Sequence, residues 1–183
     1  NSEVVPSVKS LGVIFQENML WNEHVNTIAN KLARVTGILV RLRLLLPLKV
    51  KLLLYNSLFL PHINYCHLVW GNTTSSNINI LFLLQKKAVR TILNAPFDAH
   101  TDPIFDQLNI IPLKAVYNTI FQKRFLKERK NSMGFLEQLS RLTLNSSTFN
   151  TRHKETWHVP HCRTNYGKQM LRHALPSLLN SLH

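Results

Sequence analysis

Apolar side chains recur at three- and four-residue steps between Glu23 and Leu46, at Val25, Ile28, Ala29, Leu32, Val35, Leu39, Leu42 and Leu46. That period marks one buried face of a long helix. Lys31, Arg34 and Arg41 fall off the apolar seam and form a basic stripe on its exposed side. Upstream, Val8 to Phe15 is β-branched and apolar and reads as a strand. Gly12 lies inside it, where the missing Cβ permits a bend or the close approach of another backbone. The run "QENMLWN" reads as a turn, with Asn22 as N-cap and Glu23 in the first helical turn, where a negative charge suits the helix dipole.

Pro47 suits the first position of a second helix reaching about Leu60, and Pro61 closes or restarts it. "HINYCHLVWGN" reads as a short buried helix stopped by Gly71-Asn72, and "TTSSN" as a polar loop ending in a cap. A further helix spans Asn77 to Asn94, with Leu81, Leu84, Ala88 and Ile92 inward and Lys86, Lys87 and Arg90 together outside. "APFDAHTDP" is an irregular connection, Thr101 caps a short helix with Pro103 in its first turn, and Pro112 to Lys130 is helical. The last fifty or so residues give a helix from Phe135 to Leu144, a polar loop over 145–167, and an amphipathic segment from Lys168 to Leu182 broken by Pro176. The fold class expected is mainly α, a helical bundle preceded by one or two short β-strands.

A chain of 183 residues can bury roughly two thirds of its unfolded surface, enough for one domain or slightly more. Its 22 Lys and Arg against 9 Asp and Glu leave a net charge of +13, which points to a polyanionic partner, nucleic acid first. No Asp, Glu, Lys or Arg occurs from Leu52 to Gln85, but Asn56, Pro61, His62, Asn64, His67, Gly71 and Asn72 interrupt that stretch. It falls short of the ~20 apolar residues of a spanning helix, so no membrane partner is expected. Cys66 and Cys162 stand alone, which argues against a disulfide framework and for a reducing, intracellular setting, nucleus and cytoplasm. Residue 1 is Asn, and the expectation is that the chain opens partway through a longer reading frame.

Asp98, Asp102 and Asp106 are spaced by four, the step that would align three carboxylates on a helix for a divalent ion. Pro103 disfavours helix at Asp102, so the row is expected to be broken and the aspartates to serve turns and caps. His153, His158, His161 and Cys162 crowd one polar loop, with spacing that fits no compact zinc finger. His62, Cys66 and His67 read as core and helix-end residues. GxSxG, HExxH, GxxxxGK[ST] and GxGxxG do not occur, which removes the usual support for hydrolase, kinase and dinucleotide-binding readings. The basic faces carry more, and their contacts would be to phosphate, salt-dependent and poor in sequence information.

Four runs, "VKSLGVIFQENMLWNEHV", "LLLYNSLFLPHINYCHLVWGN", "LFLLQKKAVRTILNAP" and "FNTRHKETWHVPHCRTNYGKQM", resemble in order and separation the C-terminal part of the reverse transcriptase of non-long-terminal-repeat, Jockey-like retrotransposons. The resemblance implies that residues 1–21 are the end of the palm with a primer-gripping strand, 22–131 a helical thumb, and 132–183 a C-terminal helical and loop region. It places Leu11 and Gly12 against the primer backbone, with Lys9 also a nucleic-acid-binding residue, and Lys31, Arg34 and Arg41 along the duplex, with Lys86, Lys87 and Arg90 as a second nucleic-acid surface. Ser10 stands where such elements often carry an aromatic residue. The strand over Val8–Phe15 would then be the last piece of a palm sheet, and its partners would be the upstream fingers and palm and a primer–template duplex.

Polymerisation in that family uses palm aspartates that hold Mg2+. They precede the grip strand, and no Y/F-A-D-D-like run is present. The implied role is duplex binding, with no cofactor in this chain and no polymerisation by it alone. The alternatives are an α-helical protein-interaction module and a decayed transposon-derived fragment without activity.

Overall fold

A computed structural model describes residues 5–130, 134–145 and 156–181. The chain is mainly helical, with two short antiparallel strands ahead of the helices. It divides into two compact units, Asn1–Tyr117 and Asn118–His183, and the division falls inside one helix.

The expected single strand over Val8–Phe15 is instead a hairpin. Strand β1 (Ser7–Ser10) pairs antiparallel with β2 (Val13–Gln16), with Ser10 opposite Val13. Leu11 and Gly12 form the turn, both left-handed at φ 46° and 81°. Two positive-φ residues match the right-handed twist of a tight hairpin. Leucine supplies no such preference, and the conformation costs it about 1–2 kcal/mol. A tertiary contact offsets that cost: the Tyr65 hydroxyl donates to the Leu11 carbonyl at 2.6 Å.

Helix α1 (Asn22–Arg41) buries Val25, Ile28, Leu32, Val35 and Leu39, the expected seam, and packs chiefly on α5 (Ser75–Leu93). It ends at Arg41, before the expected Leu46, and a turn follows through 42–46. The cap also differs from expectation. Trp21 occupies the cap position in a left-handed conformation, φ 65°, without a side-chain cap bond. Gln16 from β2 supplies an acceptor instead, taking the Glu23 N–H at 3.2 Å. Asn22 accepts from the Asn77 amide at 2.9 Å, tying the start of α1 to α5.

Pro47, expected as the first helical residue, instead caps α2 (Leu48–Leu54) in an extended conformation, one residue before the helix begins. The helix widens into a π-helical stretch over Tyr55–Phe59 before α3 (Leu60–Asn64). Pro61 offers no N–H, and its ring crowds the carbonyl four residues earlier; a wider turn at that point relieves the clash. The expected single helix around "HINYCHLVW" breaks at Cys66, left-handed at φ 50°, ahead of α4 (His67–Trp70). Helix α5 is capped by Thr74, whose hydroxyl accepts from Asn77 N–H, so Asn77 lies inside the helix and is buried.

Leu84 is only half-buried, and its neighbour Gln85 takes the core position with no exposure. Its amide donates to the Tyr55 hydroxyl and the Ile111 carbonyl, both at 3.0 Å, and its carbonyl accepts from Leu113 N–H at 2.7 Å. The burial that isolates this network pushes the Tyr55 phenol up to about 12, against the bond to Gln85. Lys51 is the buried cation of this unit. Its ammonium donates to the Arg43 carbonyl at 3.2 Å and to the side chain of Asn94, the left-handed C-cap of α5, at 3.1 Å. A cation there meets the negative end of the α5 dipole. Desolvation, and secondarily the charge of Arg43, lowers the Lys51 pKa.

Helix α6 (Asp102–Leu108) follows the connection over 95–101, with Thr101 at its cap position but making no side-chain cap bond. Asp102 is its first residue despite Pro103. A first-turn residue needs no N–H partner within the helix, so the proline costs little there. Helix α7 (Leu113–Lys130) closely matches the expected span.

In the second unit Glu128 accepts from Arg124 Nε at 2.8 Å and from Leu136 N–H at 3.1 Å, holding the start of α8 (Phe135–Ser140). Arg141, left-handed at φ 49°, ends α8 short of the expected Leu144. Leu144 instead bridges Trp157, whose backbone N–H and C=O are both taken by the Asn180 side chain. The final segment breaks at Met170, extended at ψ 141°, between α9 (Asn165–Gln169) and α10 (Leu171–Asn180). Pro176, the expected breaker, lies inside α10 past its first turn, where it gives up its own bond to the Arg172 carbonyl while its ring is buried beside Leu175 and Leu178.

Replacing Gln85 by Leu leaves Leu113 N–H, Ile111 C=O and the Tyr55 hydroxyl without this partner. Loss of about 3 kcal/mol is expected, read as a lower urea midpoint at unchanged slope. A loss under ~1 kcal/mol would show that the network contributes little.

Candidate nucleic-acid interface

Lys31, Arg34 and Arg41 are all exposed. At about 100° per residue they span roughly 80° of the α1 circumference, Lys31 at the edge of the buried seam and Arg34 and Arg41 on the far side from it. Lys9 is exposed on β1, facing Ile14 across the hairpin, and the Leu11 side chain is 87% exposed at the tip. Gly12 lies over the Tyr65 ring, where a Cβ would come within 3.6 Å of it.

Helix α3 and its exit border both features. His62 is close enough to Lys31 to feel its charge, which lowers the imidazole pKa after desolvation has done most of the lowering. Three residues on, Tyr65 holds the hairpin tip through Leu11. The structure thus brings Lys31 of the α1 row and the hairpin tip to the same element, while Arg34 and Arg41 lie further along α1.

Lys86, Lys87 and Arg90 share one side of α5 but engage different surroundings. The Lys86 ammonium lies 4.8 Å from the Phe82 ring centre, and Lys114 approaches the same ring at 5.0 Å. Lys87 is exposed. Arg90 donates through Nε to the Ala99 carbonyl at 2.9 Å and stands 5.9 Å from the Phe97 ring centre. Arg43, which the sequence pattern did not single out, joins Lys87 and Arg90 around one pocket beside Phe97. Its only sequence signal was membership of the cationic run at the end of α1. Among the described residues an ion pair joins Arg124 and Glu128, and none is seen between a described carboxylate and these cations.

Beneath the hairpin and α1 lies an aromatic and imidazole core. His24 sits edge-on to Trp70 at 5.6 Å, and His67 to the same indole at 4.5 Å. Phe15 meets Trp21 at 5.4 Å, and the Trp70 N–H donates to the Tyr65 carbonyl at 2.9 Å, fixing the residue that holds the hairpin. His24 Nδ1 accepts from Ile14 N–H at 3.4 Å, which leaves the proton on Nε2. His67 Nδ1 faces the Ile63 carbonyl at 3.0 Å and donates to it. Both Nε2 atoms are buried without a hydrogen-bond partner. Desolvation pulls the His67 pKa down to about 4, against the Ile63 bond, and lowers that of His24 with help from Lys31. His67 also lies flat against Gly71, where a Cβ would fall 2.6 Å from its ring.

Asp98 lies on the connection, while Asp102 and Asp106 are exposed on α6. His158 and His161 are exposed, Cys162 is half-buried, and His153 lies outside the described residues. Among the described residues no three His, Cys, Asp or Glu side chains gather to hold a metal ion, and no helix is long and apolar enough to cross a membrane. Compared with protein-family models, curated proteins and solved structures, the chain matches none.

Because the folded His67 value of about 4 lies below the ordinary 6.5, the unfolded chain takes up the proton first. Stability present above pH 6.5 is therefore lost as pH falls from 6.5 toward 4, by up to ~3 kcal/mol from this group. Urea unfolding across that interval should show the loss, and His67→Gln should flatten it. An unchanged midpoint between pH 7 and pH 4.5 would contradict the neutral buried imidazole.

Proposed function

We propose that the chain is the end-of-palm and thumb part of a non-long-terminal-repeat reverse transcriptase, and that it holds a primer–template duplex by its phosphates. The observation that carries this reading is the exposed row Lys31, Arg34 and Arg41, whose Lys31 end borders the element that anchors the hairpin of Lys9, Leu11 and Gly12. A row of cations on a straight helix meets successive phosphates, and the hairpin tip offers backbone where glycine permits close approach. Net charge of +13 adds long-range attraction for the polyanion. The palm aspartates that polymerise belong upstream in such an enzyme, so this chain positions nucleic acid and does not itself copy it.

Exposed Leu44, Leu45 and Leu53, at 80%, 77% and 63%, favour a second reading in which the turn after α1 packs on a protein partner. That partner would be the remainder of the same polymerase, or an unrelated protein if nucleic acid is not bound.

Filter binding of an RNA–DNA hybrid should weaken steeply with salt. Neutralising Lys31→Gln, Arg34→Gln and Arg41→Gln together should reduce the log–log slope by roughly 3, about one counterion per cation. A flat salt response, or a slope unchanged in the triple variant, would remove the proposal and leave the protein-partner reading.

A further inference from the structure

At the far end of α5 the chain builds a pocket of about 140 Å3, lined by Val40 and Arg43 from the end of α1, Lys87, Arg90 and Thr91 from α5, and Ala95 and Phe97 from the connection beyond. Three of its side chains are cationic and none is acidic. The neighbouring Asp98 is exposed and pairs with none of the three among the described residues. Val40 lies about 100° or more around α1 from the Lys31, Arg34 and Arg41 row, so the pocket opens on a different flank of that helix.

Its floor and rim are pre-organised. Arg90 is fixed by its bond to the Ala99 carbonyl, and Lys51 holds the Arg43 carbonyl from inside the protein. The Phe97 ring is 84% exposed, with the Arg90 guanidinium 5.9 Å from its centre.

Size decides what fits. A pocket that encloses a drug-sized ligand needs roughly 300–1000 Å3, so this one admits a phosphate group and leaves any attached ring outside. An exposed aromatic beside a small hollow whose walls are mostly apolar and whose lining residues include three cations matches a nucleotide with its phosphate held by the cationic head groups at the mouth and its base stacked on the ring. An acidic peptide would use the cations and leave the phenyl ring idle. A base pair inside a duplex has both faces covered by its neighbours and cannot offer one to Phe97.

Resting on the nucleic-acid reading above, we propose that this pocket takes one unpaired nucleotide of a single-stranded segment flanking the duplex, with phosphate against Arg43, Lys87 and Arg90 and base on Phe97. It is a second, structurally separate nucleic-acid contact, selective for single strand where the α1 row is selective for charge alone.

Fluorescence anisotropy of the intact chain with a blunt RNA–DNA hybrid, and with the same hybrid carrying a short oligothymidine overhang, separates the two contacts. The overhang is expected to tighten binding about tenfold. Phe97→Ala should abolish that gain and leave blunt-hybrid affinity unchanged. Equal affinities for the two probes overturn the proposal, as does a gain that survives in Phe97→Ala. Displacement of the overhang probe by polyglutamate or inorganic phosphate as readily as by free oligothymidine also overturns it, since the site would then be a general anion or acidic-protein surface. If the blunt hybrid fails to bind while Phe97-dependent overhang binding persists, the duplex reading falls and the pocket stands. Failure of both probes removes both.

Discussion

The packing of α1 on α5 is the constraint on which the first unit depends. Burying Val25, Ile28, Leu32, Val35 and Leu39 on one side of a twenty-residue helix fixes its rotation, at about 1.5–3 kcal/mol per large apolar side chain. With rotation fixed, Lys31, Arg34 and Arg41 have no orientation available except outward. The same contact brings the end of α1 beside the last turns of α5, so that Arg43 meets Lys87 and Arg90. Both cationic surfaces are thus consequences of one apolar seam.

The molecule treats its cations in two ways. Lys51 is buried, with backbone and amide oxygens as partners and the end of α5 before it, and serves as a structural clip between α2 and α5. The cations of the α1 row and Lys87 stay in water. Nine acidic residues against 22 basic ones are too few to balance the chain's positive charge from within. Surface charge of one sign costs stability through self-repulsion, and binding a polyanion relieves it.

The long amphipathic helices α1 and α5 were legible in the sequence because their signal is local, an apolar repeat at helical period over many residues, and α7 was legible from the proline at its start. The hairpin was not. Leu-Gly lacks the usual turn signal of Asn-Gly or Asp-Gly, and what bends the strand is a hydroxyl on Tyr65, far along the chain. The start of α1 shifted by one residue for a similar reason, since Gln16 satisfies its first turn from another element. Gln85 was readable in principle: it continues the series 81, 85, 88, 92 better than Leu84 does. A polar residue at a core phase signals a buried network, but its partners, Tyr55, Ile111 and Leu113, could not be named from spacing. Of the interface, the α1 row was legible as a face. The pocket was not, because Arg43 and Phe97 lie in connections whose path only tertiary contacts decide.

Lysine acylation followed by mass spectrometry, with and without saturating RNA–DNA hybrid, tests the account most directly. With the chain alone, Lys31 and Lys9 should react readily and Lys51 hardly at all; with hybrid bound, Lys31 and Lys9 should become protected while Lys51 stays unreactive. Undiminished labelling of Lys31 under saturation, or fast labelling of Lys51 in the folded chain, would contradict it.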